Sequence, residues 1–324
     1  FHKIMNRLYN RGKSMKQIQI NAYAKINLSI DVLRGRDDGY HDVAMVLQKI
    51  DLHDAVTVSC CEDPSEGAIE LSANIQTVPM GQDNIAWKAS GLMKQLFPHK
   101  SRETIRIHIE KRIPMAAGLA GGSADAAAVL HALNALWQCN LSVAELMEIG
   151  VKLGADVPFC IMGQAVKNAV LNFDKGSIST CAFAEGIGEK LTPLPPLKAF
   201  AVLFTPPVFV STAEIYKSLD LNKVRTRPDT HSLILGLREQ DFEKIKASMY
   251  NVLEEVSVEK YPVIGENRAW LQSISSPAKT MMSGSGPTLF ALTQDKNLAN
   301  AIFKKIQEDE GKKEGNAFLT ETSY

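Results

Sequence analysis

Apolar and polar residues alternate from Ile26 through Val32, with Asn27, Ser29 and Asp31 interleaved among Ile26, Leu28, Ile30 and Val32. A period of two turns one face of an extended chain inward, so this stretch predicts a strand with one buried face. Asp37-Asp38-Gly39 predicts a turn, and residues 43–50 and 56–58 predict two further strands. Asp83-Asn84 predicts the cap of a helix running to about Phe97. Ile105, Ile107 and Ile109 alternate again and predict a strand ending at Lys111-Arg112. Residues 124–137 are nearly all Ala, Leu and Val, which predicts a helix buried on most sides. Ser142 followed three residues later by Glu145 predicts a capping box, for a helix ending near Gly154.

The second half repeats the mixture. The proline-rich stretch 191–198 reads as a linker, and 199–204 as a short buried strand. Ser211 and Glu214 cap a helix to about Leu219, and Phe242, Ile245, Met249, Leu253 and Val256 mark one amphipathic helix. Residues 280–282 and 288–292 predict strands flanking Ser283-Gly284-Ser285-Gly286-Pro287, and 298–308 a last helix. The polar tail 311–324 is expected to fray. Strands and helices are mixed rather than strictly alternating, which predicts two α+β domains. A length of 324 residues, at roughly 150 per domain, gives the same number.

Composition narrows the function classes. Lys plus Arg is 36 and Asp plus Glu is 36, a formal charge of zero that argues against a general nucleic-acid binder. The chain is 45% hydrophobic and 22% charged, an ordinary globular balance. No apolar run reaches the roughly 18 residues of a membrane span. The five cysteines are irregularly spaced without a Cys-x-x-Cys pair, which reads as reduced thiols in a cytosolic compartment. The seven histidines show no metal-ligand spacing and there is no Gly-x-Ser-x-Gly elbow, so no metal centre is expected. Residues 1–14 carry Lys3, Arg7, Arg11 and Lys13 and no acidic residue. Two readings compete there, a disordered basic arm or translated upstream sequence. Gly12-Lys13-Ser14 mimics the end of a Walker A loop, but the earlier glycine would fall on Arg7.

The most informative segment is Pro114-Met115-Ala116-Ala117-Gly118-Leu119-Ala120-Gly121-Gly122-Ser123, where a strand runs into small residues that open a helix. Glycines let backbone N–H groups approach an anion, and the helix N-terminus adds the positive end of its dipole. A phosphate cradle is one reading; tight packing of helix on sheet is the other. The spacing is neither Walker A nor Gly-x-Gly-x-x-Gly. It resembles the phosphate loop of the GHMP kinase superfamily, which includes galactokinase, homoserine kinase and mevalonate kinase. The superfamily's other two signatures have counterparts in Ala24-Lys25-Ile26-Asn27-Leu28 and in the turn 283–288. Asp38-Gly39-Tyr40-His41, Leu153-Gly154-Ala155-Asp156-Val157-Pro158-Phe159 and Gly186-Ile187-Gly188-Glu189, together with 24–28, are similar to one branch, the 4-diphosphocytidyl-2-C-methyl-D-erythritol (CDP-methylerythritol) kinases.

The resemblance implies a two-domain GHMP kinase fold. A ribosomal protein S5 domain 2-like N-terminal domain would span 15–195 and a ferredoxin-like C-terminal domain 196–312, with a tail at 313–324. It implies transfer of the ATP γ-phosphoryl group to the 2-hydroxyl of CDP-methylerythritol, a small-molecule substrate, in non-mevalonate isoprenoid synthesis. Mg²⁺ would accompany the nucleotide. By the same resemblance Asp156 is the catalytic carboxylate and Lys25 the cation beside it, while Asn27, Tyr40, His41, Thr212 and Tyr216 meet the substrate. Tyr40, His41 and Tyr216 would serve a cytosine ring by stacking and hydrogen bonds. Asn84 and Lys111 join the loop 114–123 at ATP, and Gly284, Ser285 and Gly286 close the site. The expected setting is the bacterial cytosol, as a monomer or weak homodimer without nucleic-acid or membrane partners. Another GHMP kinase, of homoserine or mevalonate type, and a non-catalytic nucleotide-binding relative are the alternatives. About 165–183 lies an insertion roughly fifteen residues longer than a short turn requires, readable as a surface hairpin, a disturbed strand or a reading-frame error. Met15 is expected to be the natural start; the intact mass of the native protein checks this, and a mass that includes 1–14 overturns it.

Overall fold

The computed structural model describes residues 9–10, 13–14, 16–62, 67–171, 173, 178–309 and 313–323. Its strands are β1 Tyr9–Asn10, β2 Lys13–Ser14, β3 Lys16–Gly35, β4 His41–Glu62, β5 Ile69–Ala73, β6 Glu103–Glu110, β7 Cys181–Glu185, β8 Lys190–Leu194, β9 Phe200–Thr205, β10 Lys279–Met282, β11 Leu289–Thr293 and β12 Asn316–Glu321. Its α-helices are α1 Ile85–Leu96, α2 Gly121–Trp137, α3 Val143–Val151, α4 Val157–Lys167, α5 Thr212–Ser218, α6 Thr230–Glu239, α7 Phe242–Ser248, α8 Leu253–Lys260, α9 Pro262–Ser275 and α10 Lys296–Glu308. The chain separates into two compact units, one from the described residues of 1–24, 53–113 and 121–178, the other from 25–52, 114–120 and 179–324.

In the first unit β6 lies between β5, which it pairs in parallel, and the second half of β4, which it pairs antiparallel. Ile105, Ile107 and Ile109 face one way and are buried, as the alternation predicts. Helix α2 packs against α1, α3 and α4. Of its 17 residues 13 are buried, so it presents no polar face. Asn134 closes its end, donating to Leu141 O and accepting from Leu141 N. The Ser142–Glu145 capping box is formed. Helix α4 is tied to α2 by Gln164, which donates to Ala124 O at 2.8 Å. Asn168, at its end, both accepts from Asn21 N and donates to Asn21 O on β3.

In the second unit the first half of β4 pairs with β7, and β7 with β8. A separate antiparallel sheet runs β10-β11-β9-β12, with α9 and α10 against it. This is a mixed α+β chain, as expected.

Four local expectations are corrected. Residues 43–50 and 56–58 belong to one continuous strand, because the intervening Asp54 is buried and bonded rather than turned to water. The first half of the proline-rich stretch is the strand β8; it lies at the edge of its sheet, where the missing N–H of Pro193 costs no ladder bond. The predicted helix through Phe242 and Val256 is two helices, α7 and α8, interrupted at Met249–Val252. The tail does not fray: β12 pairs with β9 from Asn316 to Glu321, and Ser323 O accepts from Gln48 and Thr180. Most of 1–14 lies outside the described residues. So do 172 and 174–177 of the insertion, whose described ends are the close of α4 and the start of β7.

His131, within α2, is fully buried and its Nε2 stands 2.9 Å from Ile161 O. A carbonyl only accepts, so Nε2 carries the proton, and Nδ1 is buried without a partner among the described residues. Burial therefore lowers the pKa to about 4, only partly opposed by the Ile161 carbonyl. The folded value lies below the unfolded one, so the stabilisation is complete above about pH 6.5 and is lost as pH falls toward 4. Urea unfolding is expected to lose about 2 kcal/mol more between pH 7 and pH 5 in the wild-type chain than in His131→Gln. Equal pH slopes in the two proteins would refute this assignment.

Candidate active site

In the second unit, β3 carries Lys25 and Asn27 two residues apart and therefore on one face. Both are buried, at 3% and 1% exposure. The Lys25 ammonium donates to Asn27 Oδ1 at 2.7 Å and to Gly118 O at 2.8 Å. Gly118 O also accepts from Ser283 Oγ at 3.0 Å. Asn27 Oδ1 in turn accepts from Gly284 N at 3.0 Å. The backbone of Lys25 donates to Leu119 O at 3.1 Å. One cation thus joins the strand, the loop 114–120 and the glycine turn after β10.

The loop itself is unusual backbone. Ala116, Gly118 and Ala120 have φ of +50°, +72° and +57°. Left-handed residues at alternate positions turn N–H groups toward a common concavity, the shape that receives anions. For alanine this conformation stores strain of order 1 kcal/mol each. Glycine is required at 118 on space as well, since a Cβ there would stand 2.2 Å from Ser283 O.

His41 and Tyr216 bring their rings to 5.3 Å between centroids, tilted by 43°. Tyr40 beside His41 is 57% exposed. Thr212, at the start of α5, shares a 2.8 Å hydrogen bond with Ser285 of the glycine turn. In this unit the predicted residues Lys25, Asn27, Gly118 and Gly284 form one bonded group. Thr212 and Ser285 form a second pair, and His41 and Tyr216 a third.

The first unit holds Asp156 at the N-terminus of α4, followed by Val157 and Pro158. Pro is tolerated in a first helical turn because its missing N–H has no intrahelical partner to lose. The Asp156 side chain makes no capping bond, and among the described residues its carboxylate accepts no hydrogen bond. It is half-buried. Asn84 caps α1, accepting from Ala86 N at 2.8 Å and donating to Pro79 O at 2.9 Å. Lys111 is committed to carboxyls: its ammonium lies 2.5 Å from Asp54 Oδ2 and 2.8 Å from Asp125 Oδ2, all three buried. Asp54 Oδ1 also accepts from Arg112 N and Ile113 N, which fixes the strand end that leads into the loop. Burial opposes the Lys111 charge, but Asp125 and Asp54 outweigh it and raise its pKa. Burial raises the Asp125 pKa above the usual carboxylate range, against the pull of Lys111. Gly121, Gly122 and Ser123 form the first turn of α2. Among the described residues no three His, Cys, Asp or Glu side chains converge as a metal cage.

Sequence reasoning missed Asp54 and Asp125 as the partners of Lys111, and missed Asn251 and Ser257 as contributors. Asn251 donates to Met282 O at 2.9 Å and to Gly284 O at 2.8 Å, and Ser257 Oγ to Ser285 O at 2.9 Å. No motif marks Asp54, Asn251 or Ser257; the available signal was a polar Asn and a polar Ser within a predicted amphipathic helix.

Comparison with known proteins identifies the family. Residues 84–164 match the GHMP kinases N terminal domain and 233–312 the GHMP kinases C terminal model. A 4-diphosphocytidyl-2-C-methyl-D-erythritol kinase of Alkaliphilus metalliredigens (strain QYMF) is 42% identical over 90% of this chain and 93% of its own. One of that name from Clostridioides difficile (strain 630) is 43% identical over 87% and 88%. The chain belongs to the 4-diphosphocytidyl-2-C-methyl-D-erythritol kinase family. A crystal structure of 4-(cytidine 5'-diphospho)-2C-methyl-D-erythritol kinase superposes with a TM-score of 0.73 at 27% identity, covering 95% of this chain and 100% of that one. A homoserine kinase from Cytophaga hutchinsonii shares the fold, with a TM-score of 0.67 at 18% identity over 95% and 94%. Family membership thus rests on the sequence relatives, and the two-domain GHMP kinase fold on both comparisons.

Gly118→Ala is expected to lower the stability of this family member by more than about 2 kcal/mol in urea unfolding. A Cβ there must displace Ser283 O and with it the Lys25 contact. A wild-type stability in that variant would overturn the account of the loop.

Proposed function

We propose that the protein transfers the γ-phosphoryl group of ATP to the 2-hydroxyl of CDP-methylerythritol, giving the 2-phosphate and ADP. The observation that carries this reading is the 42% identity, over 90% of the chain, to a relative named for that kinase activity. A tertiary alcohol is a weak nucleophile, so the reaction asks for a base and for charge stabilisation. Asp156 supports the first role, because its carboxylate has unused acceptor capacity among the described residues. It takes the hydroxyl proton as the oxygen bonds to the γ-phosphorus and the bond from that phosphorus to the bridging oxygen of ADP breaks. Lys25 supports the second: its ammonium is buried, where a positive charge acts more strongly on developing negative charge than it does in water.

The other assignments follow the same reading. The alternating left-handed residues 116, 118 and 120 supply backbone donors to the nucleotide phosphates, and Gly121, Gly122 and Ser123 continue that cradle into the helix start. Lys111 serves ATP by fixing the strand end before the loop, since its ammonium is held by Asp54 and Asp125; Asn84 serves it by capping α1. His41, Tyr216 and Tyr40 stack on cytosine, and Thr212 and Asn27 hydrogen-bond the substrate. Mg²⁺ enters with ATP as part of the substrate, neutralising the β- and γ-phosphates. We assign the family's domain boundary to 195/196 and the setting to the cytoplasm. The cytoplasmic assignment is supported by five cysteines that are all free thiols. A monomer or weak homodimer suffices for this chemistry.

Turnover assays with CDP-methylerythritol, homoserine and mevalonate test the proposal. Only the first should be phosphorylated, and Asp156→Asn should lower kcat by about 10²–10⁴ while ATP-analogue binding changes little. Preference for another alcohol refutes the substrate; equal turnover by the variant refutes the base.

A further inference from the structure

The interruption between α7 and α8 places a side chain where a continuous helix could not. Asn251 is 1% exposed, and its amide nitrogen divides its two hydrogens between Met282 O and Gly284 O, both in the glycine-turn segment. Its Oδ1 accepts from Leu253 N at 3.0 Å, so the amide is oriented from both ends. Its backbone is fixed independently: Ile30 N donates to Tyr250 O at 3.0 Å and Val252 N to Ile30 O at 3.1 Å, an isolated parallel bridge to β3. That strand is also the one that carries Lys25 and Asn27. The bonds therefore close a ring, from Asn27 to Gly284 N, from Gly284 O to Asn251, and from the Asn251 segment through Ile30 back along the strand. Ser257, one turn into α8, adds a bond to Ser285 O. The carbonyls of 282, 284 and 285 are all taken by side chains on this side of the turn. Asn27 Oδ1 and Ser283 Oγ, the groups that meet Lys25 and its acceptor Gly118 O, sit on the other arm of the ring.

We propose that Asn251 is a positioning residue for phosphoryl transfer. It holds the turn 283–286 in the one conformation that keeps Asn27 Oδ1 and Gly118 O directed at the Lys25 ammonium. The inference rests on the phosphoryl-transfer reading above, through Lys25. Asn251 touches neither substrate nor reacting atoms; it acts through the turn. A small displacement of a charged group from its productive place costs as much as 10²-fold in rate. Without Asn251 the Gly284 carbonyl loses the bond that holds the turn in place.

Asn251→Asp keeps the acceptor for Leu253 N and replaces the donor with an oxygen facing two carbonyls. The expected result is a kcat lower by about 10- to 100-fold with KM for ATP changed less than about 3-fold. Amide hydrogen exchange at Gly284 should quicken at least about ten-fold, while the amides of β9 and β11 keep their protection. Unchanged kcat in the folded variant, or unchanged exchange at Gly284, overturns the proposal; a purely structural role would lower the melting temperature and leave kcat as it was. If Asn251→Asp does not fold, Ser257→Ala carries the test, with a kcat loss of about 3- to 10-fold and faster exchange at Gly286 expected, and an unchanged kcat overturning it. The exchange measurement needs no substrate. A wild-type chain that fails to phosphorylate CDP-methylerythritol, beside an Asn251→Asp variant in which Gly284 exchanges faster, therefore refutes the function and not the clamp.

Discussion

A lysine ammonium withdrawn from water costs several kcal/mol unless acceptors replace its hydration. At Lys25 two of those acceptors, Asn27 Oδ1 on the strand and Gly118 O on the loop, are each held in place by a donor from a third segment, the glycine turn. Asn27 is available because it shares the strand face, Gly118 O because the loop is held in left-handed backbone, and both are held by the turn through Gly284 N and Ser283 Oγ. The solvation demand of one charge thus forces the strand, the loop and the turn into a single geometry. That demand explains why the loop tolerates alanines at positive φ, a local cost that the buried ammonium offsets.

The first unit solves a similar problem with a different residue. Lys111 is buried between Asp54 and Asp125, and Asp54 spends its second oxygen on the two amides that follow the strand. Two carboxyls facing one ammonium crowd negative charge in low dielectric, and burial together with Asp54 raises the Asp125 pKa against the pull of Lys111. This cluster does its work on the backbone entering the loop, where the resemblance to the kinases had put Lys111 at the nucleotide itself. A lysine that ends a strand before a phosphate loop reads the same in sequence whether its ammonium reaches outward or folds back. Only the position of Asp54, 57 residues away, separates the two.

Most elements were legible because they obey a single local period. The strand through Ile26–Val32 falls where the pattern put it, although Asn27, Ser29 and Asp31 are buried as well and not only the apolar face that the alternation predicts. The alternating isoleucines of β6, the Ala-rich α2 and the capped starts of α1, α3 and α5 also fall where pattern and cap chemistry put them. The Gly-rich loop, Lys25, Asn27, the glycine turn and Asp156 were legible as motifs, since each is a short string of unusual residues. Partners were not. The tail 316–321 is a polar string that becomes a strand only because β9 offers it an edge, and nothing local in its residues announces that edge.

Two misreadings share a cause and run in opposite directions. Asp54 fell in the gap between two predicted strands and is the interior of one, because Lys111 and two amides bond its carboxyl. Asn251 looked like a position in a helix and is the break in one, because its amide is worth more across the turn at 282–284 than an intrahelical bond would be. In both cases a buried polar side chain overrides the apolar period on either side of it, by bonds to residues more than thirty positions away. Unsatisfied burial is the larger penalty, so the backbone yields to the side chain. The points where periodicity fails are therefore the points where the loop entrance and the glycine turn are built, and in such a chain a buried Asp or Asn that spoils a regular pattern is itself a sign of the site.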